Sequence, residues 1–175
     1  LESQLQETAS RYLITCDYDT VFRYEDVLEL YRLMESVPEA DAIFPLQSKR
    51  SSEHALFGIE GRSSIPAYRL SGNLLPVSTG HFGLTIFRAD RLRDFPRPWM
   101  NSQPNDEGRW TDGKVDADIK FWRHWKQSGR TLYLAPRVVV GHLQEMVTWP
   151  GRDLGPIHQT VTDYDAGGMP EGARR

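Results

Sequence analysis

Two aspartates separated by one residue, Asp17 and Asp19, follow an apolar run near the start of the chain. Residues i and i+2 of an extended segment point to the same side, so both carboxylates can face one spot. Two carboxylates held together resist ionisation unless a positive charge lies between them. Mg²⁺ or Mn²⁺ would supply that charge, because carboxylate oxygens and substrate phosphates are common ligands of such ions. The alternative interpretation is an Asx-turn, in which one aspartate only caps the loop.

His142 ends a second apolar run, RVVVG, as Asp17 ends RYLIT. A neutral imidazole is an acceptable Mn²⁺ ligand, so His142 is a candidate ligand if both runs end at the same edge of one sheet. Taken alone, a histidine after a strand is more often a hydrogen-bonded loop residue. The pairing of the two strand ends is therefore more informative than either motif.

Two further acids, Asp116 and Asp118, open a helix that the pattern of apolar residues predicts over residues 116–128. The helix dipole favours negative charge in the first turn. Asp116 can serve as the N-cap and Asp118 as a partner of the dipole without any chemistry. Their position alone does not assign them a chemical role.

The elements that must position these residues begin with a strand, a helix and a strand. Residues 11–16 predict a buried strand, YEDVLELYRLMES predicts an amphipathic helix, and DAIFPLQ predicts a second buried strand. Such a unit predicts a parallel sheet with a right-handed crossover, whose ligands collect beyond the carboxyl ends of the strands. TGHFGLTIFR and TLYLAPRVVVGH predict later strands, and residues 48–79 predict a long loop. We therefore expect the α/β fold class.

Composition narrows the function classes. A chain of 175 residues fits one domain, and its net charge of -3 with interspersed signs gives no basic field for nucleic acid. The single cysteine, Cys16, lies in an apolar run, which predicts a buried thiol and a cytoplasmic location. No stretch approaches the ~18 uncharged apolar residues that a membrane span needs.

Four stretches, taken in order, resemble a GT-A fold glycosyltransferase of the family 2 type: YLITCDYDT, STGHFGLTIFR, DADIKFWRHWKQSG and VVVGH. Together they cover roughly residues 8–145. The resemblance implies a Rossmann-related, mainly parallel sheet flanked by helices, with a catalytic domain over residues 1–160 and a flexible tail over residues 161–175. In that family, strands that cradle the nucleotide base precede the acidic motif. We therefore expect that the chain is truncated at its N-terminus; the alternatives are that another chain supplies these strands or that the protein is a degenerate relative.

The resemblance also implies a metal site and an acceptor side. Asp17 and Asp19 would contact the nucleotide sugar and its Mn²⁺ or Mg²⁺ ion, and His142 would complete the metal site. The segment that shapes the acceptor side corresponds to Gly80, His81 and Phe82, and Trp149 is a loop aromatic that could stack on a sugar ring.

The family's catalytic base is an acid in the first turn of a helix that ends in glycine. Counted back from Gly129, this position falls on Asp118. The preceding residue is Ala117, where the family commonly has glutamate, so Asp116 is the substitute candidate.

The implied activity is metal-dependent transfer of a hexose from a UDP- or GDP-sugar to the hydroxyl of a glycan or another acceptor. Single displacement with a base predicts inversion, although retaining enzymes share the architecture. A sugar nucleotidyltransferase is one alternative, but it would need a glycine-rich basic loop that this sequence lacks. A non-catalytic carbohydrate-binding or scaffold remnant is the other, favoured by Ala117 and disfavoured by the intact acidic set. The sequence does not determine the oligomeric state, and a homo-oligomer is possible.

Overall fold

The structure is a computed structural model that describes residues 9–49, 55–59, 70, 72, 74–100, 102, 104, 107–110 and 116–174. Its strands are β1 Tyr12–Cys16, β2 Thr20–Val21, β3 Ala42–Leu46, β4 Leu75–Pro76, β5 Leu84–Arg88, β6 Leu132–Val139, β7 Gly141–His142, β8 Met146–Pro150 and β9 Pro156–Thr160. Its helices are α1 Tyr24–Ser36, α2 Ala89–Arg93, α3 Ala117–Gln127 and α4 Val161–Gly167. The predicted helices at residues 24–36 and 116–128 are confirmed to within a residue at each end.

The main sheet has five strands in the order β1-β5-β3-β6-β4. Within the described ranges, β3 and β6 form its one parallel pair, and the other neighbours run antiparallel. The sheet is therefore mixed, and the prediction of a GT-A-like, Rossmann-related and mainly parallel sheet is wrong.

The reason for the error lies in β5. The sequence pattern predicted that β1 and β3 are neighbours joined by the crossover helix, but β5 lies between them and is antiparallel to both. Strand β1 is consequently an edge strand. Cys16 at its end is exposed, so the prediction of a buried thiol is also wrong.

The core lies on both faces of this sheet. On one face, Leu30 and Met34 of α1 pack with Ile43, Ile86 and other residues. On the other face, Phe121, Trp122 and Trp125 of α3 pack with Phe44 and Phe87 of the sheet. Phe95, which follows α2, belongs to the same cluster. Coverage on both faces explains why β3 is a continuous apolar run, because neither side of a central strand then faces water.

The parallel pair β3–β6 is fixed at its start by a pair of hydrogen bonds between Asp41 and Thr131. Thr131 N donates to Asp41 Oδ2 at 2.8 Å, and Asp41 N donates to Thr131 Oγ1 at 2.9 Å. Arg91 Nε lies 3.1 Å from Asp41 Oδ1 and pairs with the same carboxylate. Asp41 is buried, so these partners replace the water that its carboxylate loses on folding.

A separate unit follows β7. Strands β8 and β9 form an antiparallel hairpin, and α4 continues directly from β9. None of the described residues of this unit belongs to either core cluster. The segment predicted as a flexible tail, residues 161–175, begins with α4 and returns to the hairpin, where Arg174 N donates to Pro150 O at 2.7 Å. No helix in the described part of the chain has the length and apolar character to cross a membrane.

We expect Asp41→Ala to lower the free energy of unfolding by about 2 kcal/mol, because it removes hydrogen bonds to a buried carboxylate and leaves Thr131 N unpaired. Urea denaturation of the variant measures this loss. Asp90→Ala is the matched control, since Asp90 is exposed and its carboxylate accepts a hydrogen bond from the neighbouring Arg91 N. Equal effects of the two substitutions would contradict this account of the β3–β6 pair.

Candidate functional site

A short antiparallel ribbon joins the early and late parts of the chain. Strand β2 pairs with β7, so that Thr20 lies opposite His142 and Val21 opposite Gly141. Leu143 N extends the pairing by donating to Asp19 O at 2.8 Å. Two residues that are 123 positions apart, Asp19 and His142, are thereby held side by side.

The side chains of Asp19 and His142 meet directly. His142 Nε2 lies 3.2 Å from Asp19 Oδ2, and His142 Nδ1 lies 3.1 Å from the carbonyl oxygen of Ser48. A carbonyl oxygen only accepts hydrogen bonds, so the contact with Ser48 O is a hydrogen bond when Nδ1 carries a proton. In that tautomer Nε2 is an acceptor that faces a carboxylate, and a cation shared by the two atoms would make the contact favourable.

A divalent cation fits this pair. Two ligand atoms at right angles around an octahedral ion, each at ~2.1 Å from it, lie about 3.0 Å apart. The observed separation of 3.2 Å between Nε2 and Oδ2 is close to that value. Among the residues that the structure describes, no three His, Cys, Asp or Glu side chains are grouped to hold an ion. Asp19 and His142 thus fit as two ligands, and substrate oxygens would have to supply others.

Asp17 adds negative charge beside the pair. Asp17 N donates to Gly83 O at 3.0 Å, which ties the first aspartate to the loop that enters β5. Partial burial of its carboxyl group raises the pKa of Asp17, and the negative charges of Asp19 and Asp118 raise that pKa further, whereas His142 lowers it. The pKa of Asp17 therefore responds to the charges of three other predicted site residues, Asp19, His142 and Asp118.

Asp118 is exposed and lies in the first turn of α3. Its Oδ1 accepts a hydrogen bond from Ile119 N at 2.7 Å. Asp116 occupies the N-cap position in extended conformation, but its side chain makes no capping hydrogen bond. Asp116 therefore occupies the N-cap position considered from the sequence, but its carboxylate does not cap the helix. The predicted position of Asp118 in the first turn is confirmed.

Sequence reasoning missed the residue that holds the ribbon together, Gln47. It is buried, and its Nε2 donates to Gly141 O at 3.1 Å and to Thr20 Oγ1 at 3.3 Å. One amide thus binds both strands of the ribbon. Gly83 lies against the same cluster, because a Cβ there would come within 2.7 Å of Gln47 Oε1 and 2.9 Å of Thr20 Oγ1. A glutamine at the end of a strand carries no sequence signal for this function.

Gly80, His81 and Phe82, the residues predicted to shape the acceptor side, lie in the segment that enters β5. His81 is buried: its Nε2 lies 3.0 Å from Pro45 O, and its Nδ1 accepts from Gly83 N at 3.1 Å. Both ring nitrogens therefore bond to backbone. Phe82 stacks on Trp122 with ring centroids 5.0 Å apart. Gly80 approaches Phe44 so closely that a Cβ would lie 2.7 Å from its ring.

Trp149 lies in β8, in the hairpin that follows the ribbon. Its Nε1 donates to Gln159 Oε1 at 3.0 Å, and its ring centroid lies 5.7 Å from that of Tyr164. These contacts are made within the hairpin and α4. The structure therefore anchors Trp149 in the C-terminal unit, whereas Asp17, Asp19 and His142 belong to the sheet edge and its ribbon.

Comparisons with known proteins give a fold but no family. No family model matches the chain, and no curated protein matches it significantly. Among solved structures, the chain resembles A197 from STIV with a TM-score of 0.57 and 14% identity, over 91% of this chain and 71% of that one. At this level of identity, the likeness shows a shared fold alone.

We expect acid to destabilise the protein through His81. Burial lowers the pKa of His81 from 6.5 to about 4, so between these values the unfolded chain binds a proton that the folded chain does not. Stability should therefore fall as the pH is lowered from about 6.5 to 4, by at most ~1.4 kcal/mol per pH unit for one proton. Urea denaturation of His81→Gln at several pH values measures this contribution to the free energy of unfolding, because the variant lacks the titrating ring.

The readout is the difference in pH dependence between the wild type and His81→Gln. His158→Gln, at an exposed position in β9, is the control and should keep the wild-type slope. An unchanged slope in His81→Gln would show that the buried ring does not resist protonation.

Proposed function

We propose that this chain is a metal-dependent glycosyltransferase that moves a sugar from a nucleotide-diphosphate sugar to an acceptor hydroxyl. The observation that carries the proposal is the 3.2 Å approach of His142 Nε2 to Asp19 Oδ2, with Nδ1 of the same ring 3.1 Å from Ser48 O. A metal-binding histidine commonly has its other ring nitrogen bonded to a backbone carbonyl in this way. The proposal rests on these side chains and not on sheet topology.

In this proposal Asp19 and His142 hold a Mn²⁺ or Mg²⁺ ion, and Asp17 adds negative charge or a further oxygen beside it. The bound ion would neutralise negative charge that develops on the departing nucleoside diphosphate. The two-ligand geometry suits this task, because Mg²⁺-type ions commonly combine one or two carboxylates with phosphate oxygens. Without a cation, the carboxylates of Asp17 and Asp19 would repel a diphosphate. The donor would therefore bind together with its metal ion.

Asp118 is the proposed general base. Its carboxylate is exposed, and its charge raises the pKa of Asp17, which supports a position on the same side of the protein as the acidic motif. Deprotonating the acceptor hydroxyl requires a carboxylate within hydrogen-bond reach of that hydroxyl, and an exposed side chain such as Asp118 can meet this requirement. Direct attack assisted by one base inverts the anomeric carbon. Asp116, one helical position outside α3, is the alternative base.

The remaining parts of the proposal concern the context of the enzyme. The donor is a UDP- or GDP-sugar, and the acceptor is a glycan or another molecule with a free hydroxyl. We place the enzyme in the cytoplasm, since its single cysteine forms no internal disulfide.

The metal is tested first. We expect Mn²⁺ to raise the Tm of the wild type, because a ligand that binds the native state alone stabilises it. Asp19→Asn and His142→Gln should each weaken Mn²⁺ binding roughly tenfold or more, in line with the loss of a metal contact. His158→Gln and Asp153→Asn, in the hairpin, are the matched controls. Isothermal titration with Mn²⁺ measures the affinities, and wild-type affinity in both site variants would contradict the ion-binding pair.

The same titration repeated with uridine and guanosine diphosphate sugars tests the donor. A stabilisation by one donor that needs Mn²⁺ supports the transferase. Binding of free glycans without any response to nucleotide sugars would indicate the non-catalytic carbohydrate-binding alternative instead.

The base is tested with Asp118→Asn. We expect turnover to fall by about 10²–10⁴-fold, the usual contribution of a positioned base, while Mn²⁺ and donor affinities stay near wild type. Steady-state kinetics and the titrations above measure the two effects separately. Asp116→Asn is the internal control, and a larger loss of turnover in that variant would transfer the base to Asp116.

A further inference from the structure

The two edges of the main sheet differ in how they meet solvent. Strand β4 forms one edge, and it has only two residues, of which the second is a proline. Strand β1 forms the other edge, and its five residues, YLITC, keep an unbroken register with β5. Proteins commonly protect an edge with a short strand, a proline, a charge or a bulge. Strand β4 has two of these features, whereas β1, over Tyr12–Cys16, has none of them.

Two hydrogen bonds show which backbone groups of β1 face β5. Asp17 N, just after the strand, donates to Gly83 O at 3.0 Å. Just before the strand, Arg11 O accepts from Ala89 N at 2.9 Å. In an antiparallel pair, residues that bond to the neighbouring strand alternate with residues whose backbone groups point the other way. Because residues 11 and 17 both bond to the β5 side, the odd-numbered residues of β1 do so as well.

The even-numbered residues of β1 therefore direct their backbone groups outward. These are the N–H and C=O groups of Tyr12, Ile14 and Cys16, and no strand in the described part of the chain pairs with them on that side. The side chain of Ile14, at the middle of the strand, is 42% exposed, and Cys16 is exposed as well. A row of donors and acceptors beside an exposed apolar side chain is a template for another extended strand.

This edge is complementary to a second copy of itself. When two β1 strands run antiparallel with their Ile14 residues opposite each other, Tyr12 of one copy lies opposite Cys16 of the other. Every outward N–H and C=O group of both strands then has a partner. The same register places Arg11 opposite Asp17 at each end, and opposite charges across a strand pair are favourable. Moving the centre by one residue places Tyr12 or Cys16 outside the paired strands and separates these charges.

Arg11 is able to take part in such a contact. Its guanidinium lies 3.4 Å from the carboxylate of Glu35, and its side chain is 72% exposed. Exposed ion pairs contribute little to stability, so exchanging Glu35 for another carboxylate costs little. Asp17 is also exposed, which leaves its carboxylate accessible to a partner.

We propose that this chain forms an antiparallel dimer through β1, in which the two five-stranded sheets join into one continuous sheet. The second copy supplies the matching row of backbone groups and the reversed order of charges at the ends. The pairing is one strand wide, which is smaller than the ~1,600 Å² of a standard protein interface. The dimer should therefore dissociate on dilution. This inference does not depend on sugar transfer or on the metal ion and can hold if that proposal fails.

Analytical ultracentrifugation from micromolar to several hundred micromolar protein tests the dimer. I14P removes the central outward N–H without removing a bond to β5, and I14K places two like charges opposite each other. Each variant should raise the dissociation constant of the dimer at least tenfold. V139K makes the same change from an apolar to a cationic side chain at an exposed position in β6, and it should dimerise as the wild type does. The Tm of each variant reports folding, and I14K keeps the test valid if I14P does not fold.

Disulfide formation tests the register. The proposed pairing places the two cysteines of I14C/C16S opposite each other, with Cα atoms about 5.5 Å apart, which is within the range of a disulfide. This variant should form an interchain disulfide at least tenfold faster than V139C/C16S, although Val139 is the more exposed position. In the wild-type dimer the two Cys16 residues are four positions apart along the strands, or ~13 Å, which is too far for a disulfide.

Three outcomes would overturn the inference. The first is a wild type that stays monomeric at every concentration. The second is a dimer that I14K and V139K weaken equally, because it would use another surface. The third is disulfide formation through Cys16 in the wild type as fast as in I14C/C16S, which contradicts a register centred on Ile14.

Discussion

The pairing of β2 with β7 is the constraint on which the site depends. Two residues from each strand, bridged by the buried amide of Gln47, hold Asp19 against His142 across most of the sequence. Asp19 is 7% exposed, so its carboxylate has lost much of its water and depends on partners within the protein. The imidazole of His142 is one of these partners, at 3.2 Å. The ribbon therefore fixes the geometry of the Asp19–His142 contact, and the charges of both residues act on the pKa of Asp17.

The direction of the strands explains why this convergence was predictable although the sheet was not. Strands β1 and β3 are both antiparallel to β5, and β3 is parallel to β6, so β1 and β6 run in the same direction. Residues that follow β1 and β6 consequently emerge at the same edge of the sheet. The sequence argument needed only this shared direction. The same argument was wrong about which strands are neighbours. An apolar run such as LTIFR does not reveal which strands it will pair with, or in which direction.

Local periodicity identified the elements with one buried face. Leu30 and Met34 of α1, and Trp122 and Trp125 of α3, are spaced as a helix requires and are buried in the structure. The β8–β9 hairpin was missed because prolines stand at its ends, where Pro150 pairs with Pro156, and proline ordinarily argues against a strand. His81 shows a different limit. Its sequence position is that of a ligand, and only burial and two backbone bonds show how its ring is used.

Helix α3 separates the two kinds of charge that the small net charge conceals. An acid, Asp118, stands in its first turn, and Arg123 and Lys126 stand in its later turns, which is the order that the helix dipole favours. Asp118 and Lys126 are eight residues apart, or ~12 Å along the axis, whereas the Debye length at physiological salt is ~8 Å. Both side chains are exposed, so salt screens them from each other. Arg123 is five residues from Asp118, or ~7.5 Å along the axis, and so lies within that length. Of these two cations, Arg123 is therefore the one whose charge still acts at the start of α3, and Lys126 has little influence there.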